Sequence, residues 1–188
     1  MIRLSSGYPQ HLTPIYSCDY IMGMNDAIRL DEPLFIHGEA CAVTGIESLT
    51  LNNWVQREVV MLGKMHRSKR RLYTIIDLIK LRVIADLART LKLGPSFAEA
   101  ISQSVMPRAG EVIEALSKGK LDHDGEEQLL LAWAEPETDD FKVVRLKASN
   151  LRDGLPGSHP VIIVPLDEIA RDVAVKALAI LHNEKAER

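Results

Sequence analysis

The chain has 188 residues, of which 46% are hydrophobic, with 23 Lys and Arg, 26 Asp and Glu, and a formal net charge of -3. This length and composition predict a globular protein with one medium domain or two small ones. No uncharged apolar run approaches the roughly 18 residues that cross a bilayer, and the N-terminus lacks a secretory signal pattern, so we expect a cytoplasmic protein with no membrane partner.

Residues 1–32 predict a flexible N-terminal arm. They carry no sustained helical or strand periodicity, and "GYPQHLTPIY" places two prolines among turn-forming residues. Met22 and Met24 lie just before the first patterned segment. A protein that starts there, without residues 1–23, is therefore an alternative.

Two short helices joined by a tight turn are predicted within "GEACAVTGIESLTLNNWVQREVV". Apolar or small residues recur there at helical spacing on both sides of Gly45. We expect the first helix to end at Thr44, Gly45 to supply a left-handed residue, and a second helix of about nine residues to follow. This order is the sequence form of a helix-turn-helix.

The second of these helices carries a polar face whose side chains are suited to reading bases. When the apolar side chains of the helix turn into the core, the exposed face contains Thr50, Asn53 and Arg57, and its flank contains Asn52 and Gln56. Asn and Gln pair with adenine edges, Arg with guanine or phosphate, and the Thr methyl group with thymine. An ordinary polar face is the alternative interpretation.

A third helix is predicted to begin at Thr74, because Thr74 and Asp77 have the spacing of a capping box. Its apolar side chains form a stripe wide enough to cover a helix-turn-helix. The helix continues to about Leu93, where "GPS" ends it.

The connection between the second and third helices is strongly basic. From residue 57 to residue 92 the chain has ten Lys or Arg against three Asp or Glu, a net of +7 that leaves -10 for the other residues. We expect "VVML" to pair as a short hairpin before Gly63, and a basic hairpin beside a recognition helix is a winged helix. A solvated basic loop is the alternative. Five of the cations lie in "KMHRSKRR": Lys64, Arg67, Lys69, Arg70 and Arg71.

The ordered set of these motifs resembles the DNA-binding domain of the MerR family of transcriptional regulators, over about residues 34–93. In that family a Gly-Glu opens the first helix, a Thr-Gly-hydrophobic turn follows, Thr and an aromatic residue lie in the second helix, and an Arg-hydrophobic-Tyr triplet precedes an Asp-containing helix. Asn52 stands where most members have Arg, and Trp54 replaces a Tyr. The matching residues are Gly38, Glu39, Thr44, Gly45, Thr50, Trp54, Arg71, Tyr73 and Asp77.

The resemblance implies a sequence-specific transcriptional regulator that binds double-stranded promoter DNA as a homodimer. In this hypothesis the basic hairpin lies along the DNA backbone and supplies affinity, while the second helix supplies selectivity. The candidate DNA-binding residues are Thr50, Asn52, Asn53, Gln56, Arg57, Lys64, Arg67, Lys69, Arg70, Arg71 and Tyr73.

Beyond the third helix the period of the apolar residues changes. "FAEAISQSVM" and "RAGEVIEALSKGK" predict two more helices, ended by Pro107 and Gly119. After the acidic "LDHDGEEQ", three strand-like segments, "LLLAWAE", "FKVVRLK" and "PVIIVPL", precede the amphipathic helix "EIARDVAVKALAILH". We therefore predict an α+β fold: an N-terminal winged helix-turn-helix helical domain (33–119), an acidic linker (120–128) and a small three-stranded α+β domain (129–188).

The small C-terminal domain is predicted to serve in dimerisation or sensing. Three strands and one helix bury little core alone, so we expect them to pack on a second copy or on the first domain. The predicted dimer contacts are the edge strands or the face of Ile169, Val173 and Ile180. A small-molecule effector or a protein partner for this domain remains open.

The sequence predicts neither catalysis nor a metal or cofactor. It has no Gly-rich phosphate loop and no Gly-x-Ser-x-Gly elbow, its two cysteines are far apart, and its histidines are scattered. The alternative function is that of a phage-type or excisionase-like architectural DNA-binding protein, or of an adaptor that recruits a protein partner through residues 129–188.

Overall fold

The structure is a computed structural model with a mixed α+β fold, as predicted. Its described part contains seven α-helices, one two-stranded sheet and one three-stranded sheet, both antiparallel. Residues 1–31 of the predicted arm and 120–126 of the predicted linker lie outside the described residues. The described ranges are 32–92, 94–103, 106–117, 127–134, 141–155 and 160–186.

The first two helices form as predicted. α1 spans His37–Thr44 and α2 spans Ser48–Gln56. Between them Gly45 has a φ of 70°, and its N–H donates to the Cys41 carbonyl at 2.9 Å. Glycine adopts this left-handed conformation without a Cβ clash, which lets the chain leave α1 and enter α2 within a few residues.

A two-stranded hairpin follows α2. β1 (Lys64–Met65) pairs antiparallel with β2 (Arg71–Leu72). An isolated bridge between Phe35 and Tyr73 adds the segment that precedes α1 to this small sheet. The hairpin is therefore attached at its base to the start of the helix pair.

The hairpin lies later in the chain than predicted. Residues 59–62 were expected to pair before Gly63, but Val60 and Leu62 are buried in the core at 1% and 5% exposure and hold this stretch against the helices. The chain reverses direction instead at residues 66–70, within the basic segment "KMHRSKRR".

α3 (Ile75–Leu91) is the central helix. It begins at the predicted capping box: the Asp77 N–H donates to Thr74 Oγ1, and the Thr74 N–H donates to an Asp77 carboxylate oxygen, each at 3.0 Å. Because it is buried on several sides, α3 is enclosed by the fold and is not simply a cover over α1 and α2. Its buried apolar residues are Ile75, Leu78, Ile79, Leu81, Val83, Ile84, Ala85 and Leu87.

α4 (Pro95–Ser102) and α5 (Met106–Ser117) follow α3. Pro107 lies in the first turn of α5, where its missing N–H breaks no intrahelical hydrogen bond, and does not itself end α4. α4 packs on α3. Buried Lys80 of α3 donates to the Gln103 side-chain oxygen at 2.8 Å beside the end of α4.

The larger sheet contains the three strands that the sequence predicts. β3 (Gln128–Ala134) lies between β4 (Phe141–Lys147) and β5 (Ile162–Pro165), in the order β4-β3-β5. Both pairings are antiparallel, so β4 and β5 are the outer strands.

Helical segments complete the C-terminal part. A 3-10 turn (Ala148–Asn150) and the short α6 (Leu151–Gly154) lie between β4 and β5, and α7 (Leu166–Ala186) follows β5. In the described part of the chain, no helix combines the length and the apolar character that crossing a bilayer requires.

α7 packs against α3 and α5, so the C-terminal and N-terminal parts share one hydrophobic core. Val173 of α7 and Leu130 of β3, both fully buried, belong to this core. Arg82 of α3 also forms an ion pair with Asp172 of α7 at 3.4 Å, and Asp172 accepts a hydrogen bond from Lys176 at 2.8 Å. The sequence predicts that the C-terminal part packs either on a second copy or on the first domain. In the structure it packs on the first domain.

The face of α7 that was predicted to mediate dimerisation is covered within the monomer. Ile169 and Val173 are 8% and 0% exposed, and Ile180 is half-buried against the same core. The prediction that these side chains contact a second copy is therefore wrong, because they already pack inside one chain.

Val173→Ala should destabilise the helical part and the sheet together, because Val173 fills the core that both share. Losing two buried methyl groups and leaving a cavity should cost about 2 kcal/mol. In single-tryptophan variants, the fluorescence of Trp54 on α2 and of Trp133 on β3 should report coincident urea transitions that shift equally.

The control for this prediction is Asn183→Ala, at an exposed position of the same helix. It should change the free energy of unfolding by no more than about 0.5 kcal/mol. A shift confined to the Trp133 transition would mean that the two parts unfold independently.

Candidate nucleic-acid interface

α2 has one buried side and one exposed side. Leu51 is fully buried, and Trp54 and Val55 are half-buried against the core, as predicted. These contacts fix the rotation of the helix about its axis. The exposed polar residues on the other side are Asn52, Asn53, Gln56 and, at the C-terminal cap, Arg57.

The centre of the exposed side differs from the prediction. Thr50, expected there, is half-buried, whereas Leu49 is 71% exposed. At about 3.6 residues per turn, Leu49, Asn53 and Gln56 lie roughly 140° to 160° from Leu51 around the helix axis. The group formed by Leu49, Asn52, Asn53 and Gln56 is named the α2 outer face.

The tip of the hairpin is a tight turn. The His66 N–H donates to the Arg70 carbonyl at 2.8 Å, and the Lys69 N–H donates to the His66 carbonyl at 2.9 Å. Lys69 has a φ of 61°, so a lysine occupies a left-handed position that favours glycine. The Ser68 N–H adds a hydrogen bond to His66 Nδ1 at 3.3 Å. These bonds give the tip a defined shape.

Four cations of the hairpin point to solvent: Lys64, Arg67, Lys69 and Arg70 are all exposed. None of the ion pairs formed among the described residues involves them. Their charge is therefore available to an anionic partner.

Three cations of α3 form hydrogen bonds or ion pairs within the protein. Lys80 is bonded to Gln103, as described above, and Arg82 pairs with Asp86 at 2.9 Å. Arg89 donates to the Gly45 carbonyl at 3.3 Å, which ties the end of α3 to the turn before α2. The net charge of +7 counted for residues 57–92 therefore exceeds the positive charge that this surface offers to a partner.

Arg71 has a structural contact. It is half-buried, and its guanidinium donates to the Leu62 carbonyl at 2.7 Å and lies 3.4 Å from the Gly63 carbonyl. The sequence places Arg71 among the DNA-binding candidates. In the structure its side chain instead links β2 to Leu62 and Gly63, the residues that immediately precede β1.

Tyr73 is also part of the support for the hairpin. It was predicted to contact DNA, but it is only 1% exposed and exchanges backbone hydrogen bonds with Phe35 at 2.8 and 3.0 Å. Its ring packs against Gly63, which has a φ of 76°. Burial raises the pKa of the Tyr73 phenol, while the Arg71 guanidinium acts in the opposite direction.

An open cleft of about 360 Å³ connects α2 to the hairpin. Asn52 of the α2 outer face and Arg70 of the hairpin both line it, and the first turn of α1 borders it. The Ile36 N–H at the start of α1 donates to a Glu39 carboxylate oxygen at 2.8 Å, so an acidic side chain already caps this end of the helix. The complete lining consists of Ile36, His37, Gly38, Asn52, Val55, Arg70, Arg71 and Tyr73.

Sequence reasoning missed Leu49, His37 and Met65. Leu49 could have been found, because it is an apolar residue outside the buried stripe of α2. His37 lines the cleft and its Nε2 lies 3.0 Å from Ser48 Oγ, a contact between α1 and α2 that no local pattern indicates. Met65 is 62% exposed on β1, beside the cations.

No protein-family model matches the chain, and no curated protein does. Within the described ranges, no group of three His, Cys, Asp or Glu is placed to hold a metal ion. Support for a function therefore comes from the geometry and charge of the surface.

Gly63→Ala should destabilise the protein by about 1 to 3 kcal/mol. A Cβ at Gly63 would lie 2.9 Å from two carbons of the Tyr73 ring, and the φ of 76° is strained for alanine. Gly38→Ala is the matched control: nothing lies within 4 Å of its Cβ position, so alanine in α1 should stabilise by up to about 1 kcal/mol. Urea denaturation measures both effects. If the midpoints of the two variants shifted in the same direction from that of the wild type, the close packing of Tyr73 on Gly63 would be contradicted.

Tyr73 should make stability fall at alkaline pH. Its folded-state pKa is raised above the ordinary value of 10.0, so its stabilising contribution is complete below pH 10.0 and is lost as pH rises through the folded pKa. The free energy of unfolding of the wild type, compared with that of Tyr73→Phe, should therefore decline above pH 10.0. A difference that does not change with pH would mean that the phenol is solvated.

Proposed function

We propose that this protein is a sequence-specific DNA-binding transcriptional regulator, with a winged helix-turn-helix that resembles the MerR family. The α2 outer face enters the major groove, and the basic hairpin follows the phosphate backbone. Asn52 and Arg70 line the same cleft, and this observation carries the proposal, because base-reading and phosphate-binding groups then belong to one continuous surface.

The exposed cations support binding to a polyanion. Four of them lie within seven positions, Lys64 to Arg70, on a chain with a net charge of -3. The excess negative charge lies elsewhere, so the hairpin side should turn toward DNA during approach. Each cation that neutralises a phosphate releases counterions, which makes affinity depend on salt.

The amides of the α2 outer face support selectivity. Asn52, Asn53 and Gln56 are exposed and lie outside the hydrophobic core. Amide side chains form paired hydrogen bonds with the N6 and N7 atoms of adenine in the major groove. Asn52 also lines the cleft together with Arg70. In the proposed complex it could therefore contact either a base edge or a phosphate.

We further propose that the protein binds DNA as a homodimer, because one short reading helix covers few base pairs and a two-fold pair doubles the site. The Ile169 and Val173 face is buried, which leaves the outer strands β4 and β5 as the contacts to test. Light scattering of the full chain, with and without its DNA site, measures the number of copies.

Selection of bound fragments from genomic DNA tests the proposed function. A shared inverted repeat should emerge, and Asn53→Ala should relax the preference at one base pair by about 1 to 3 kcal/mol. Equal recovery of unrelated fragments would reduce the function to that of an architectural DNA-binding protein. No DNA retention, with a partner protein held through residues 129–188, would favour the adaptor.

Replacing Arg67 and Arg70 together with Gln should weaken binding to every DNA sequence and lower the slope of log Kd against log salt by about 2. Phosphate contacts carry little base information, so the selected motif should stay the same. Affinity titrations at several salt concentrations measure the slope.

Arg145 and Arg152, both exposed in the C-terminal part, provide a control with the same change in charge. Their replacement with Gln should leave the salt slope within error of the wild type. If the two double variants have equal slopes, the hairpin is only a solvated basic loop.

A further inference from the structure

Leu49 is an apolar side chain in the middle of a polar surface. It is 71% exposed, while Leu51, the other leucine of α2, is fully buried. A single exposed leucine is common on protein surfaces and needs no explanation by itself. Its place on the helix is what distinguishes it: Leu49, Asn53 and Gln56 follow one another at the i, i+4 and i+7 positions of one face.

We propose that Leu49 contacts the 5-methyl group of a thymine, and so helps to set the DNA sequence that the protein prefers. This inference rests on the proposed function and deepens it. The thymine methyl is the apolar group that base pairs present in the major groove, and apolar side chains read it by direct contact. An apolar side chain among base-reading amides is complementary to that group.

The spacing of the face indicates where the thymine lies. Leu49 and Asn53 are one turn apart, about 6 Å along the helix axis, which corresponds to about two base-pair steps when the helix lies along the groove. Asn pairs with adenine. The preferred site should therefore contain a thymine about one to two base pairs from the position that Asn53 reads.

The surroundings of Leu49 favour DNA over a protein partner. Its neighbours on the exposed side are Ser48, Asn52 and Asn53, all exposed and polar, so Leu49 does not extend an apolar patch on α2. The cleft lined by Asn52 also contains Arg70, which places the basic hairpin at the border of the same face. Ile36 in the cleft and Met65 on the hairpin are also exposed, but on α2 itself Leu49 stands alone among polar side chains. A helix face of amides with one leucine, bordered by cations, matches A·T-rich major groove better than it matches an apolar protein surface.

Replacement of single thymines by deoxyuridine tests the inference, because this change removes only the methyl group. In the site recovered by selection, one such replacement should raise the Kd of the wild type by about fourfold, the effect of losing one buried methyl contact. Leu49→Ala should bind the thymine and uracil forms with equal Kd. Its melting temperature should match the wild type, because Leu49 packs little against the protein.

Met61→Ala is the matched control. Met61 is 74% exposed but lies after α2, where its N–H is held by a Glu99 carboxylate oxygen at 3.0 Å. This variant should keep the full wild-type response to uracil. Loss of the response in both variants would show a general effect of exposed apolar side chains and would overturn the assignment to Leu49.

Two further results would overturn the inference. If no thymine replacement changes the wild-type Kd, or if Leu49→Ala weakens all sequences equally, then Leu49 does not read a methyl group. Either result leaves the proposed function intact provided that Asn53→Ala still relaxes the selected motif. If selection recovers no shared site, the proposed function and this inference fail together.

Discussion

Burial of α3 is the constraint on which the rest of the structure depends. Its apolar side chains contact α1, α4, α5 and α7, so removing it would leave each of these helices with an uncovered face. Its first turn is fixed by the reciprocal hydrogen bonds of Thr74 and Asp77. Because β2 ends only two residues before Thr74, the position of α3 also fixes the base of the hairpin.

The hairpin is attached by contacts between buried and half-buried residues. Tyr73 pairs with Phe35 through the backbone, its ring lies against Gly63, and Arg71 is bonded to the Leu62 carbonyl. A cation presented on a supported turn loses less conformational freedom on binding than one on a mobile loop. In the proposed function, the supporting residues would therefore contribute to affinity for DNA by positioning the exposed cations.

The charged side chains of the protein lie in two different environments. Arg82 is half-buried between Asp86 and Asp172, where it connects α3 to α7. The hairpin cations are exposed, and salt screens exposed charges more strongly than partly buried ones. If the hairpin binds DNA as proposed, that binding should respond to ionic strength far more than the stability of the fold does.

Local patterns in the sequence determine much of this protein. The glycine turn after Thr44, the capping box at Thr74, the three strands and the α+β class all follow from residues a few positions apart, because helix ends, turns and strand alternation are short-range effects. The basic run and the polar residues of α2 are equally evident from sequence.

Exposure, in contrast, was decided by tertiary packing. The sequence cannot distinguish Arg71, bonded to a carbonyl, from exposed Arg70, or anticipate that Tyr73 packs on Gly63. The sequence alone does not show whether α7 packs on a second copy or on the first domain. That packing involves residues far apart in the chain, such as Arg82 and Asp172, which are 90 positions apart. Side chains acquire their surroundings from distant parts of the chain, and only the folded structure brings those parts together.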